Sequence, residues 1–330
     1  MIQAKAILVT GVGQVTVGAA EVPEPGPGEV LVEAAFSCIS PGTELRCFAG
    51  EQPGSENVPY IPGYAMTGTV AAVGADVQVP VGTPVFCGGT RKVNHHRLWG
   101  AHISHAVMEE GALFPLPDGL GLKEASVAAL ASIAYHGIRL SRTQPHEKVA
   151  VVGLGAIGQL SARLHAITGA QVVGADLAPS RVEALKAAGV GALVPQGSLA
   201  ESFRTVFPEG ADVIVDATGS PGVLPHALEI ARELSWDDRV LGGPRYLVQG
   251  SYADSFSIPY NPAFQREMTF LVPRNRQRID GETVISLMAQ GKLNVADLIT
   301  QTLPPEECAT AYADLQNPES GALTIAFQWR

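Results

Sequence analysis

The sequence predicts an α/β protein in two parts, a β-rich region followed by a parallel, doubly wound sheet. Three observations carry this. Residues 1–110 read as short strand-like runs broken by Pro and Gly. From residue 148 onward, apolar strands alternate with helical stretches. The length, 330 residues, is too great for one ordinary domain and suits two, each able to bury a core.

Taken in order, "AKAILVT", "EVLVEAAFS", "TGTVAAVG" and "TPVFCGG" are strands of a barrel or an irregular sheet, separated by "VPEPGPGE" and "VGADVQVPVG". Residues 60–70, "YIPGYAMTGTV", read as a loop turning into a strand, with Tyr64 a lone phenol between two glycines. Residues 116–141 read as helical, with Lys123 and Glu124 in the first turn. Then come strand "KVAVVG", helix "AIGQLSARLHAITG", strand "AQVVGAD" and helix "SRVEALKAAG". The stretches "ALVP", "LAESFRTVF", "DVIVDAT" and "GVLPHALEIARELS" continue the alternation, and "YLVQGSY" and "MTFLVP" add two strands. Such strands, buried on both faces and separated by helices, make a parallel sheet. The tail, 279–330, has two helical stretches and a last strand, "ALTIAFQW", and resembles neither half.

Composition narrows the function. Apolar residues make up 46% and charged residues 16%, as in a compact globular chain. Net charge is −10 and no Lys/Arg run stands out, which argues against a nucleic acid or an anionic membrane as partner. The N-terminus lacks a signal-peptide pattern, and no apolar stretch is long enough to span a bilayer, so the cytoplasm is expected. Cys38, Cys47, Cys87 and Cys308 are scattered, which argues against a disulfide framework or a clustered-thiolate zinc. Cys47 and Cys87 read as small buried hydrophobes.

The strongest chemical signal is "VVGLGAIGQL", in which Gly153, Gly155 and Gly158 form G-x-G-x-x-G after an apolar strand and at the opening of a helix. Gly153 makes the tight turn, Gly155 admits a pyrophosphate to the backbone, and Gly158 lets helix and sheet pack closely. The intervening Leu154, Ala156 and Ile157 line the same turn, and the helix N-terminus offers N–H groups to phosphate. Asp176, ending the next strand, is placed to accept from ribose hydroxyls and to repel a 2′-phosphate, which favours NAD; Arg181 stands near enough to blur that preference.

The order "PGPGEVLVE", "GTE", "IPGYAMTGTVAAVG", then the fingerprint and a returning tail, resembles the medium-chain dehydrogenase/reductase superfamily over essentially the whole chain. The resemblance implies a GroES-like β-rich catalytic domain (1–120 and 273–330), a doubly wound Rossmann nucleotide-binding domain (121–272), and an active site in the cleft between them. Zinc-dependent members carry Cys in "CGTD" and His-Glu in "PGHE". Here these read Ser40-Pro41-Gly42-Thr43-Glu44 and Pro62-Gly63-Tyr64-Ala65, and the third ligand position, near "LASIAYHG", offers only Ser132 or its neighbours. The resemblance therefore implies the fold and the cofactor and argues against catalytic zinc.

By the same resemblance Ser40, Thr43 and Tyr64 face the reacting carbon, and Thr43 matches a hydroxyl of the proton relay. Tyr64 either donates a hydrogen bond to a carbonyl oxygen or fills the space a metal would take. Glu44 matches an acid that stands behind the metal ligands in that family, though an ion pair or N–H acceptor inside the fold is the plainer reading. Thr218, Gly219, Gly250, Ser251, Val272 and Arg274 are expected along the cofactor. His95, His96, His102 and His105 lack a Cys or carboxylate at ligand spacing and fall where the superfamily varies its substrate loops, so they are expected at the surface or in the substrate pocket. His136 is expected in the core or facing the cleft.

"SCISPGTE", "LASIAYHG" and "GSYADSFSIPYNPAFQRE" are also similar to the bacteriochlorophyllide-type dehydrogenases, which oxidise a hydroxyethyl side chain with NAD. The expectation is a zinc-independent, NAD-dependent enzyme for a secondary alcohol/ketone pair. It would act on a small molecule, as a homodimer typical of the superfamily. The rivals are a quinone or enone C=C reductase and a non-enzymatic NAD(H)-binding protein.

Overall fold

The computed structural model describes residues 1–234, 242–252 and 255–330. Ser235, the last residue of the expected helix 222–235, and Ala253 and Asp254 of the "GSYADS" stretch lie outside the described residues. The fold is mixed α/β and divides into two compact units. The first comprises Met1–Leu130, Gly281–Gly291 and Val295–Arg330; the second comprises Ala131–Asp280 and Lys292–Asn294.

In the first unit, strand Ile2–Gly11 pairs with Gln14–Val22 and with the short Tyr60–Ile61, which pairs in turn with His96–Arg97. A second sheet centres on Glu29–Cys38, flanked by Met66–Val73, His105–Glu109 and Thr324–Gln328. Val30, Val32, Ile61, Met66, Val85, Ile103 and Val107 fill one core. Ile7, Ile39, Phe48, Tyr312, Ile325 and Phe327 fill another. The tail joins this unit because Thr324–Gln328 lies antiparallel to Glu29–Cys38 and parallel to Ile299–Leu303.

The stretch 60–70 behaves as its glycines dictate. Gly63 has φ +87°, open to glycine and strained for other residues. Gly68 lies so close to the neighbouring strand that a Cβ would stand 2.1 Å from the Glu33 carbonyl oxygen. A helix the sequence reading did not anticipate, Pro41–Phe48, follows the extended Ser40. Proline at its first position and Glu44 in its first turn both favour a helix start.

The second unit holds an all-parallel sheet ordered Gly191–Leu193, Gln171–Ala175, Lys148–Val152, Val213–Asp216, Arg245–Val248 and Thr269–Leu271. Its strands are buried on both faces. Val149, Val151, Val213, Val215 and Leu247 point into one core, and Ala150, Val152, Ile214, Tyr246 and Val248 into the other. The chain runs outward from Lys148–Val152 to one edge, then returns to Val213–Asp216 on the other side. In such sheets the usual ligand position is at that reversal, beyond the strands' carboxyl ends.

Two helical expectations are corrected. Residues 116–141 are helical only over Leu122–Ala125 and Ala128–Ser141, with Ser126 Oγ donating to the Lys123 carbonyl between them. Over residues 222–234 the helical structure is one α-turn, Leu224–Ala227, and a 3₁₀ turn, Leu228–Ile230. The chain then extends, because the Ala211 N–H takes the Ile230 carbonyl and the Arg232 N–H takes the Ala211 carbonyl.

Helix Ala156–Ile167 carries His165, fully buried and with neither ring nitrogen partnered among the described residues. Burial, with Arg245 nearby, depresses its pKa from 6.5 to about 3. The folded protein thus holds His165 neutral while the unfolded chain binds a proton as pH falls below 6.5, so stability is lost on going from pH 6.5 towards 3. In His165→Met the fall of stability between about pH 6 and 4, read from denaturant midpoints, should be shallower by about 1.4 kcal/mol per pH unit. Equal slopes would show that His165 does not titrate on unfolding.

Candidate functional site

The glycine-rich turn has the geometry its spacing predicts. Gly153 has φ +85°, and a Cβ there would meet Thr218 Cγ2 at 2.9 Å. At Gly158 a Cβ would stand 1.8 Å from the Gly153 carbonyl oxygen, so helix Ala156–Ile167 can approach the turn only with glycine at that position. Gly155, by contrast, has nothing within 4 Å of its Cβ position. It is also the N-cap of the helix and makes no side-chain cap, which leaves space before the N–H groups of the first turn, Ala156 and Ile157. Leu154 is buried, and its N–H donates to Asp176 Oδ2 at 2.7 Å.

Asp176 Oδ1 accepts from the Ala178 N–H at 2.8 Å, and Arg181 Nη1 stands 3.5 Å from Oδ2. Each oxygen has one fixed donor and retains a second acceptor site. Open space, an uncapped helix start and a carboxylate at the next strand end fit a dinucleotide.

Two further loops are built as one piece by a carboxylate that sequence reasoning missed. Asp216, fully buried at the end of strand Val213–Asp216, accepts from the Thr218 N–H at 3.0 Å and Thr218 Oγ1 at 2.6 Å. The hydroxyls of Tyr246 and Tyr252 donate to its other oxygen at 2.8 and 2.5 Å. Burial, reinforced by this carboxylate, pushes both phenols above their ordinary pKa. The Asp216 carbonyl also accepts from the N–H groups of Gln249 and Gly250. Gly219 and Gly250 then pack back to back. A Cβ on Gly219 would lie 2.7 Å from the Ser251 carbonyl oxygen, and one on Gly250 would lie 2.5 Å from Gly219 N. The structure thus brings Thr218, Gly219, Gly250 and Ser251 together. Val272 and Arg274 follow the edge strand Thr269–Leu271, are exposed, and make no hydrogen bond to these loops among the described residues.

In the first unit, Ser40, Thr43 and Tyr64 do converge. Ser40 Oγ and Tyr64 Oη lie 2.5 Å apart, and Tyr64 Oη donates to Thr43 Oγ1 at 3.4 Å. Trp99 sets its ring edge-on to Tyr64, centroids 5.3 Å apart, from a backbone at φ +74°. Positive φ in a tryptophan is strained and marks a position the surrounding fold over-determines.

Glu44 is fully buried and accepts from the Ser40 N–H, His102 Nε2 and the Tyr312 hydroxyl at 2.8, 2.8 and 2.9 Å. It is an acceptor inside the fold. His102 corrects an expectation: instead of lying at the surface it is fully enclosed between Glu44 and Ser37. His96 is exposed, and half-buried His95 and His105 bind the Ala19 carbonyl and Ser104. His136 pairs with Asp280 at 3.0 Å. All four cysteines are buried, and burial pushes the Cys38, Cys47 and Cys87 thiols up to about 12.

The donor set does not fit a zinc ion. Hydroxyls, which are poor zinc ligands, stand at Ser40 and Tyr64, Glu44 is committed to three hydrogen bonds, and no group of three or more His, Cys, Asp or Glu is placed to hold a metal among the described residues.

Residues 26–118 match the alcohol dehydrogenase GroES-like domain, and residues 156–234 match the zinc-binding dehydrogenase family. The chain is 26% identical over 335 residues to the 2-desacetyl-2-hydroxyethyl bacteriochlorophyllide A dehydrogenase of Rhodobacter capsulatus, covering 99% of both. Among solved structures it is similar to 2R,3R-butanediol dehydrogenase from Bacillus subtilis, with TM-score 0.85 at 21% identity over 99% of this chain and 100% of that one. It is likewise similar to acetophenone reductase from Geotrichum candidum in complex with NAD, with TM-score 0.83 at 18% identity over 99% and 97%. Other matched chains were solved with NADP or with NADH. At these identities the structural matches establish the fold.

The glycines separate binding from folding. Gly155→Ala has room for its methyl and should leave the melting temperature unchanged while weakening NADH binding about tenfold or more, read by NADH fluorescence. Gly158→Ala should lower the melting temperature itself, since its Cβ meets backbone. Undiminished NADH binding by Gly155→Ala would place the cofactor elsewhere.

Proposed function

The chain belongs to the medium-chain dehydrogenase/reductase superfamily, and from that premise we propose that it is a zinc-independent, NAD(H)-dependent oxidoreductase for a secondary alcohol/ketone pair. The observation that carries this reading is the contact of Tyr64 with Ser40 and Thr43. With Ser40 Oγ donating to Tyr64 Oη, the phenol acts as a donor with its own proton. In the structure it goes to Thr43 at 3.4 Å, a long bond that a well-placed carbonyl oxygen outcompetes.

When bound, the nicotinamide supplies or accepts a hydride. Tyr64 Oη holds a hydrogen bond to the oxygen on which charge develops, and Ser40 and Thr43 restore or take its proton. Trp99 holds the phenol ring from its edge.

Asp176 supports NAD(H) over NADP(H), because its carboxylate sits against the glycine-rich turn where a 2′-phosphate would meet like charge; Arg181, 3.5 Å away, softens that repulsion. The same reading makes the protein a cytoplasmic homodimer with a small-molecule substrate. Among the described residues no helix is long and apolar enough to cross a membrane.

After exhaustive chelation the protein should still oxidise NADH with a ketone acceptor, and NADPH should bind about tenfold more weakly or worse. The acceptor panel spans simple and aromatic ketones, enones, quinones and an acetyl-bearing tetrapyrrole, the last because of the Rhodobacter relative. Tyr64→Phe should lower kcat about a hundredfold or more and leave the KM for NADH in place. Loss of activity on chelation would contradict the zinc-free reading. Reduction confined to C=C bonds would make the protein an enone or quinone reductase, and tight NADH binding without turnover would make it a non-enzymatic binder.

A further inference from the structure

Strand pairing brings the segments of Ser40 and Tyr64 near each other, since Ser37 stands opposite Met66 and the Cys38 N–H donates to the Ala65 carbonyl, but both residues lie beyond the paired stretch and their side chains need a further constraint to meet. Ser40 precedes helix Pro41–Phe48, and Tyr64 lies in the turn between strands Tyr60–Ile61 and Met66–Val73. One ring touches both segments. His102 Nε2 donates to Glu44 Oε2 at 2.8 Å, and Glu44 Oε1 accepts the Ser40 N–H at 2.8 Å. The other face of the contact is Gly63, where a Cβ would lie 2.7 Å from His102 Cδ2 and Nε2, so the ring rests directly on the turn that carries Tyr64. The backbone adds to this: the His102 N–H donates to the Pro62 carbonyl, and the Ala101 N–H to those of Pro62 and Gly63.

The proton inventory gives this contact a direction. Trp329 Nε1, which can only donate, donates to Ser37 Oγ at 2.9 Å. Ser37 then has its own proton for His102 Nδ1, 2.7 Å away. That leaves Nε2 as the protonated nitrogen, facing Glu44. Phe327 closes the ring's remaining side edge-on at 5.2 Å. The imidazole is thus fixed in tautomer and in place, and among the described residues it makes no hydrogen bond to Ser40 or Tyr64 itself.

We propose that His102 is the positioning residue of the hydroxyl site: by holding Glu44 on one side and Gly63 on the other, it sets Ser40 Oγ and Tyr64 Oη at hydrogen-bonding distance. Its catalytic consequence rests on the proposed ketone/alcohol activity; its structural consequence does not. His102→Gln keeps an N–H donor within reach of Glu44, whereas His102→Leu keeps none.

The test places 3-fluorotyrosine at position 64 and compares its ¹⁹F resonance in the otherwise unaltered full chain, in His102→Leu and in His102→Gln, with the melting temperature and NADH affinity measured alongside. The leucine variant should shift the resonance, the glutamine variant should shift it less, and NADH affinity should hold. In kinetics, His102→Leu should lower kcat about tenfold with the KM for NADH unchanged, and the same substitution in a Tyr64→Phe background should cost no more than about twofold. A resonance that does not move, or an equal tenfold loss without the phenol, overturns the proposal. If the unaltered protein reduces no carbonyl, the proposed activity falls and the ¹⁹F comparison alone decides the role of His102. Should the leucine variant not fold, Gly63→Ala, which crowds the same ring from the turn, takes its place in the comparison.

Discussion

A buried carboxylate takes its hydrogen bonds from donors fixed by the fold, and each compact unit of this protein holds one, Glu44 and Asp216, with no ion pair to Lys or Arg among the described residues. Leaving a buried acceptor unsatisfied costs about 1–3 kcal/mol, more when it is charged, so the loops that supply its donors are held where those donors reach. Glu44 draws in the Ser40 N–H, His102 and Tyr312, and so fixes the helix start beside the hydroxyl cluster. Asp216 draws in Thr218, Tyr246 and Tyr252, and so holds the loops after strands Val213–Asp216 and Arg245–Val248 against each other.

The two sites achieve close approach differently. At the glycine-rich turn, backbone must come near backbone, and Gly158, Gly219 and Gly250 are the residues that allow it. At the hydroxyl cluster, side chains must meet. There Gly63 lets the His102 ring come close to the turn that carries Tyr64. Behind the hydroxyl cluster stands a buried, hydrogen-bonded group of Glu44, His102 and Tyr312.

How much of this was legible in the sequence depended on how local the physics was. The glycine fingerprint, its strand, its helix and Asp176 lie within about 30 residues and obey a fixed spacing, so they could be read directly. The alternation of apolar strand and helix yielded the parallel sheet for the same reason. Ser40, Thr43 and Tyr64 were reached only through family resemblance, since no spacing rule joins them. His102 was misplaced and Asp216 overlooked because their partners are distant in the chain: 58 residues separate His102 from Glu44, and 30 and 36 separate Asp216 from its two tyrosines. A fully buried His or Asp has no local signature. The strand Ile299–Leu303 was missed because "ITQTL" carries little apolar pattern and becomes a strand by pairing with Thr324–Gln328.

The central claim is that a phenol does here what a metal does in the zinc-dependent members. The most direct measurement is a crystal structure of the full chain with NADH and a non-reducible analogue of the best ketone acceptor, refined with an anomalous-scattering check for metal. The account predicts the acceptor oxygen at about 2.6–3.0 Å from Tyr64 Oη with no anomalous peak beside it. An acceptor oxygen bound to a metal ion, or seated away from Tyr64, would contradict it.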